Sequence, residues 1–128
     1  MPTVLIVDDE PNIVELVRIT LEDDRVRVVT AEAGAEALML AEVERPELVL
    51  LDVNLPDVSG LEVCRRLRHD PRLGDLRIVM LTAAAQRADV ERGLAAGADE
   101  YLTKPFSPVR LLSLVEQLVP GTTPWARR

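Results

Sequence analysis

Val4-Leu5-Ile6-Val7-Asp8-Asp9-Glu10-Pro11 is the stretch on which the fold reading turns. Four apolar residues end at carboxylates, and the proline that follows suits the first turn of a helix, where a missing N–H costs no hydrogen bond. Short apolar runs bounded by polar turns read as strands covered on both faces of a parallel sheet. The same form returns three times: Leu48-Val49-Leu50-Leu51 runs into Asp52, Ile78-Val79-Met80-Leu81 into Thr82, and Tyr101-Leu102-Thr103 into Lys104. In such sheets ligands bind outside the carboxyl ends of the strands. Three carboxylates, a hydroxyl and an ammonium are therefore expected on one rim. That inventory suits a metal ion and a phosphoryl group.

Between these runs the apolar spacing becomes helical. Ile13, Leu16, Val17 and Leu21 follow Pro11, and Leu38 with Ala41 marks a second helix ending before Pro46. Leu61, Cys64 and Leu67 make a third, and Val90 and Leu94 a fourth, with Gly97 placed to end it in the left-handed conformation. Ser107 followed by Pro108 opens a fifth, carried by Leu111, Leu112, Val115, Leu118 and Val119. A further strand, Val26-Arg27-Val28-Val29-Thr30, completes the alternation.

Strands and helices in alternation predict an α/β fold, a doubly wound five-stranded parallel sheet flanked by five helices. Strand composition predicts the order. The second strand carries Arg27 among valines and the fifth is short and mixed, so these two belong at the edges. Order 2-1-3-4-5 fits, and its switch point lies between strands one and three, where Asp8, Asp9 and Asp52 fall.

A chain of 128 residues suffices for one domain with its own core. We read residues 1–119 as that domain and 120–128 as a C-terminal tail or truncated linker, with Trp125-Ala126-Arg127-Arg128 a loose end. A net charge of −7 argues against direct nucleic-acid binding. No apolar stretch approaches a membrane span and no secretory leader is visible, so the expected location is cytoplasmic. The single cysteine, Cys64, forbids an internal disulfide and reads as a small buried residue. His69 reads as a solvated surface histidine, and Arg65-Arg66-Arg68 as the solvent face of a helix.

Lys104 is the only lysine; the other fourteen basic residues are arginine. A pocket that needs one compact cation against a single oxygen requires lysine, because arginine presents a broad planar fork. Part of Asp8-Asp9-Glu10 is explained by a carboxylate capping the first helix. A second and third acid beside it repel one another unless a cation intervenes, and magnesium accepts carboxylates while keeping several waters. Asp9 and Asp52 are thus read as direct Mg²⁺ ligands, with Asp8 acting through water. Asp52 is the candidate nucleophile, since a carboxylate can attack phosphorus to give an acyl phosphate. The transferred group's charge spreads over three oxygens. Mg²⁺ would take one, Lys104 a second, and the Thr82 hydroxyl with nearby N–H groups a third.

These residues together resemble the receiver domain of two-component response regulators, over residues 3 to 119. The resemblance is carried by Asp8-Asp9, by Asp52-Val53-Asn54-Leu55-Pro56-Asp57-Val58-Ser59-Gly60, by Leu81-Thr82-Ala83, and by Tyr101 with Lys104-Pro105-Phe106. It implies a flavodoxin-like (CheY-like) fold, Asp52 as phosphoacceptor, and Mg²⁺ held by Asp9, Asp52 and the Asn54 backbone carbonyl. It further implies a cis Lys104-Pro105 bond and a switch in which Thr82 moves toward the phosphoryl group and Tyr101 turns inward. The surface of the fourth helix, fifth strand and fifth helix would change with it, to control an effector or self-association. The phosphoryl source would be a histidine kinase or histidine phosphotransfer protein. Ala84 stands at a position that, with Asn54, influences phosphoryl lifetime in the family.

Rival readings are weaker. An aspartyl-phosphate phosphohydrolase of the haloacid dehalogenase type wants a second Asp two residues after the nucleophile, where this chain has Asn54. A flavodoxin relative needs a hydroxyl- or glycine-rich phosphate loop after the first strand, where this chain has three acids. A receiver that has lost phosphorylation would lack one of the chemical groups, and all are present. The expected role is a signalling module whose only catalysis is its own phosphorylation and dephosphorylation.

Overall fold

A computed structural model describes residues 2–23, 26–83 and 87–120, and for positions 87 and 89 the backbone alone. Elements alternate as expected. They are β1 (Thr3–Val7), α1 (Pro11–Leu21), β2 (Arg27–Ala31), α2 (Gly34–Glu44), β3 (Leu48–Asp52), α3 (Gly60–His69), a 3₁₀ turn (Pro71–Leu73), β4 (Arg77–Thr82), α4 (Arg87–Ala95), β5 (Glu100–Thr103) and α5 (Pro108–Leu118). The sheet is parallel with order β2-β1-β3-β4-β5. Among the described residues no helix is long and apolar enough to cross a membrane.

All five residues of β1 and all five of β3 are buried, which is why both read as unbroken apolar runs rather than as alternations. Successive side chains point to opposite faces and feed two separate cores. Val4, Ile6, Leu48, Leu50, Val79 and Leu81 pack with Val17, Leu111 and Val115 of α1 and α5. Leu5, Val7, Val49, Leu51, Ile78 and Met80 face Ala37, Ala41, Val63 and Leu67 of α2 and α3. Cys64 is buried there with its thiol toward the Ala96 carbonyl, and burial pushes its pKa up to about 11. His69 is exposed. Arg27, on the edge strand, reaches out to Glu44.

The register determines the site. Val7 pairs with Leu51, Asp52 with Leu81, and Thr82 with Thr103. Asp8, Asp52, Thr82 and Lys104 therefore leave the sheet side by side. Backbone bonds continue the pairing past the strand ends: Val53 N–H donates to the Leu81 carbonyl at 3.1 Å and Lys104 N–H to the Thr82 carbonyl at 2.7 Å.

Helix ends follow the sequence signals with one exception. The Ser107 hydroxyl accepts from Arg110 N–H, and Pro108 is the first residue of α5. Gly97 has φ +110°, and Ala98 N–H bonds back to the Gly93 carbonyl, closing α4 as expected. At α1 the cap position is Glu10, which makes no side-chain cap bond. Asp8 Oδ1 instead accepts Glu10 N–H at 2.9 Å, which leaves the Glu10 carboxylate for another partner.

Arg68 departs from its expected place on a solvent face. Its guanidinium turns inward and donates to the carbonyls of Gly97 (2.8 Å) and Leu76 (2.7 Å) and to Asp99 Oδ2 (2.7 Å). Asp99 Oδ2 also accepts Ile78 N–H at 2.8 Å. One arginine thus ties the start of β4 and the α4–β5 turn to α3. Three acceptors converging on a planar fork, none of them near it in sequence, outweigh hydration of the charge.

Candidate phosphoacceptor site

Asp8 is fully buried and Asp52 nearly so. Asp52 Oδ1 accepts Asn54 N–H at 3.2 Å, and Oδ2 lies 3.4 Å from Lys104 Nζ. Burial, then the charge of neighbouring Asp8, raises the Asp52 pKa; the Asn54 N–H and Lys104 oppose the rise without cancelling it. Asp8 Oδ2 lies 2.7 Å from Lys104 Nζ. This buried oxygen is held by the charge of the ammonium, and no other described residue hydrogen-bonds to it. Lys104 is itself 10% exposed. Burial works against its charge, but contacts with Asp8 and Glu10 and the charge of Asp52 outweigh it and hold the pKa above the ordinary lysine value.

Glu10 is the group that sequence reasoning missed. Its Oε1 accepts a hydrogen bond from Lys104 Nζ at 2.9 Å. Carboxylate oxygens of Asp8, Glu10 and Asp52 lie within 4.8 Å of one another. Asp9, expected as a direct metal ligand, is exposed and outside that group. It lines, with Asp8, Pro11, Glu15 and Thr30, an open cavity of about 220 Å³ beside the site. The only sequence signal for Glu10 is its place after the acidic pair, where capping of α1 explained it equally well.

Thr82 is buried at the end of β4. Tyr101 is half-buried, and the two line one small cavity with Val53, Met80, Gly93 and Leu94, between β5 and α4. Lys104–Pro105 is cis, as the resemblance implies. Phe106 is buried against α1 and α5. Ala84 and the tail from position 121 lie outside the described residues.

The loop after Asp52 is held at both ends. Gly60 N–H donates to the Val53 carbonyl at 2.9 Å, and a β-carbon at position 60 would stand 2.0 Å from the Asp52 carbonyl oxygen. Only glycine permits that approach. Further along, the Asp57 carboxylate caps α2, accepting N–H bonds from Gly34 (2.7 Å) and Ala35 (2.9 Å). The Ala35 and then the Gly34 N–H lower its pKa to about 2.

The donor set fits a hard divalent cation. It is built of the carboxylate oxygens of three acids within 4.8 Å of one another, two of them, Asp8 and Asp52, buried, so their negative charge exceeds what the Lys104 ammonium offsets.

The model of the response regulator receiver domain matches residues 4–116. The chain belongs to this family. The receiver is 44% identical over 122 residues to the DNA-binding dual master transcriptional regulator RpaA of Synechocystis sp., covering 95% of this chain and 51% of that protein. It is 45% identical over 116 residues to the alkaline phosphatase synthesis transcriptional regulatory protein PhoP of Bacillus subtilis, covering 91% of this chain and 48% of the relative. The chain thus spans about half the length of these curated relatives. Among solved structures, the chemotaxis response regulator CheY4 of Vibrio cholerae superposes with TM-score 0.87 at 35% identity, covering 93% of this chain and 99% of that one. Fold and strand order are those of CheY-like receivers, and the role is that of a phosphorylation-activated signalling domain of two-component systems.

Proposed function

We propose that Asp52 is the phosphoacceptor of this receiver and that Asp8, Asp9 and Lys104 serve it. The observation that carries the reading is the convergence of two buried acids and the chain's only lysine, with Nζ 2.7 Å from Asp8 and 3.4 Å from Asp52. Asp52 Oδ attacks phosphorus as the bond from phosphorus to the donor's leaving group breaks, and the leaving group departs with the electron pair. Lys104 moves no proton here. Its held positive charge neutralises one phosphoryl oxygen while the Thr82 hydroxyl, at the adjacent strand end, takes another. Mg²⁺ would be held by Asp9 and Asp52 and the Asn54 carbonyl, with Asp8 through water; bound there, it supplies charge neutralisation for the transferred group. Asp9 is exposed beside Asp8 and shares the lining of the adjoining cavity with it.

The phosphoryl source is a histidine kinase or histidine phosphotransfer protein, and the output runs through α4, β5 and α5 to an effector or a second copy. Thr82 and Tyr101 line one small cavity between β5 and α4, and this shared lining supports the route: a Thr82 side chain drawn toward the phosphoryl group vacates space on the side where Tyr101 lies. Acetyl phosphate with Mg²⁺ should add one acid-stable, base-labile phosphoryl group, read by intact mass. Asp52→Asn should abolish it; persistent labelling of that variant would defeat the assignment.

A further inference from the structure

We propose that Glu10 is a positioning residue for phosphoryl acceptance: its carboxylate holds the Lys104 ammonium in the resting protein and must release it when the phosphoryl group arrives. The inference rests on the phosphoacceptor reading of Asp52 and deepens it.

Three carboxylates surround Lys104 Nζ, and they differ in kind. Asp8 and Asp52 are at 0% and 7% side-chain exposure, whereas Glu10 is at 58%. The buried pair comes from strand ends at the floor of the site. Glu10 reaches in from the solvent side, from the residue that opens α1, with its own N–H tethered to Asp8 Oδ1. Its bond to Nζ is a hydrogen bond of 2.9 Å. The buried Asp8 Oδ2 pairs with the same nitrogen at 2.7 Å, and Asp52 Oδ2 lies 3.4 Å from it. An ammonium has three N–H groups to aim. In the resting arrangement the solvent-side acid Glu10 takes one of them, on the side from which a phosphodonor must enter. Losing Glu10 leaves that N–H for the oxygen of an entering phosphoryl group.

Glu10 thus acts twice. It covers the ammonium from the side by which a phosphodonor enters, and it presents negative charge to a donor that is itself an anion. The Glu10 end of the pair is 58% exposed, so water can take its place and the hold is reversible. Glu10 makes and breaks no covalent bond. Its effect is on how readily Lys104 meets phosphate, and on the charge a donor must approach.

Because Lys104 is the sole lysine, the hold can be read without any phosphorylation. Wild type, Glu10→Gln and Glu10→Ala are treated, metal-free, with a water-soluble N-hydroxysuccinimide ester, and acylation of Lys104 is followed by peptide mass spectrometry. Both variants should acylate at least ~3-fold faster, since a covering anion is removed. Initial rates of Asp52 phosphorylation at saturating Mg²⁺ are then compared for acetyl phosphate and for the less negatively charged phosphoramidate. Glu10→Gln should raise the acetyl phosphate rate about 3-fold or more and the phosphoramidate rate less, a dependence on donor charge that a merely structural role would not produce. If wild type takes up phosphoryl groups normally and the variants match it in both assays, the positioning role is overturned while the acceptor reading survives. If wild type accepts none, both fall.

Discussion

Gly60 and Asp52 approach so closely that a β-carbon on position 60 would lie 2.0 Å from the Asp52 carbonyl oxygen and 2.9 Å from its carbonyl carbon. The first residue of α3 is therefore stacked directly on the backbone of the candidate acceptor, and the Gly60 N–H bond to Val53 draws the loop closed. Gly60→Ala forces backbone against backbone, with no flexible side chain to yield. We expect a loss of about 2 kcal/mol or more, seen as a melting temperature lower by roughly 8 °C, with a parallel drop in phosphorylation from acetyl phosphate because Asp52 is displaced. A variant with unchanged melting and labelling would mean the loop relaxes freely and plays no part in holding the acceptor.

Arg68 and its neighbours on α3 separate charge from role. Among the described residues Arg65 and Arg66 pair with Glu62 on the same helix, at 3.8 and 3.4 Å, and are more than half exposed. Replacing either by Ala should shift stability by less than about 0.5 kcal/mol. Arg68→Ala leaves the Gly97 and Leu76 carbonyls and Asp99 without their shared donor. It should cost about 2 kcal/mol, measured by urea unfolding at constant slope. Three equal effects would reduce Arg68 to another surface arginine.

That contrast shows where the sequence is readable. Leu48 to Leu51 and Val4 to Val7 declare a two-face-covered sheet because every position must be apolar, whereas Arg27 marks the edge strand less surely, since Arg77 opens the central strand β4 equally exposed. Asp8, Asp52 and Lys104 were legible together, since the register of a parallel sheet carries each strand's last residue to the same rim. Arg68 and Glu10 were not. Each occupies a position where the local pattern calls for a solvated charge, and each is captured by partners far away in sequence: Gly97 and Asp99 for Arg68, Lys104 for Glu10. Gly60 is similar, since only the closeness of two chain segments makes its lack of a side chain necessary.

Asp57 gives a pH signature. Its N–H bonds from Ala35 and Gly34 hold the folded pKa at about 2, below the ordinary 3.8. A depressed acid contributes stability in full above the unfolded value and loses it as pH falls through the folded one. The stability gap between wild type and Asp57→Asn should therefore be flat from pH 5 to 7 and close between about pH 4 and about pH 2. Paired acid titrations followed by circular dichroism test this. A gap that persists at pH 2 would locate the effect in packing rather than in the carboxylate.

Asp52 runs with the opposite sign. Its pKa is raised above 3.8, by burial first and then by Asp8, so its ionised form is disfavoured by folding. Metal-free protein pays for that charge as pH climbs from the unfolded value through the folded one, and the penalty is present in full above both. Asp52→Asn, neutral and of equal shape, should accordingly raise the metal-free melting temperature at pH 7 and leave it nearly unchanged at pH 3. Mg²⁺ should reverse the ranking. At a hundredfold excess over Kd it should add about 2.7 kcal/mol to wild type, whereas the Asn variant, having lost one of the carboxylates proposed to hold the ion, should gain much less. Differential scanning calorimetry with and without millimolar Mg²⁺ reads both halves. A variant no more stable than wild type without metal, and equally stabilised with it, would remove Asp52 from the cation site altogether.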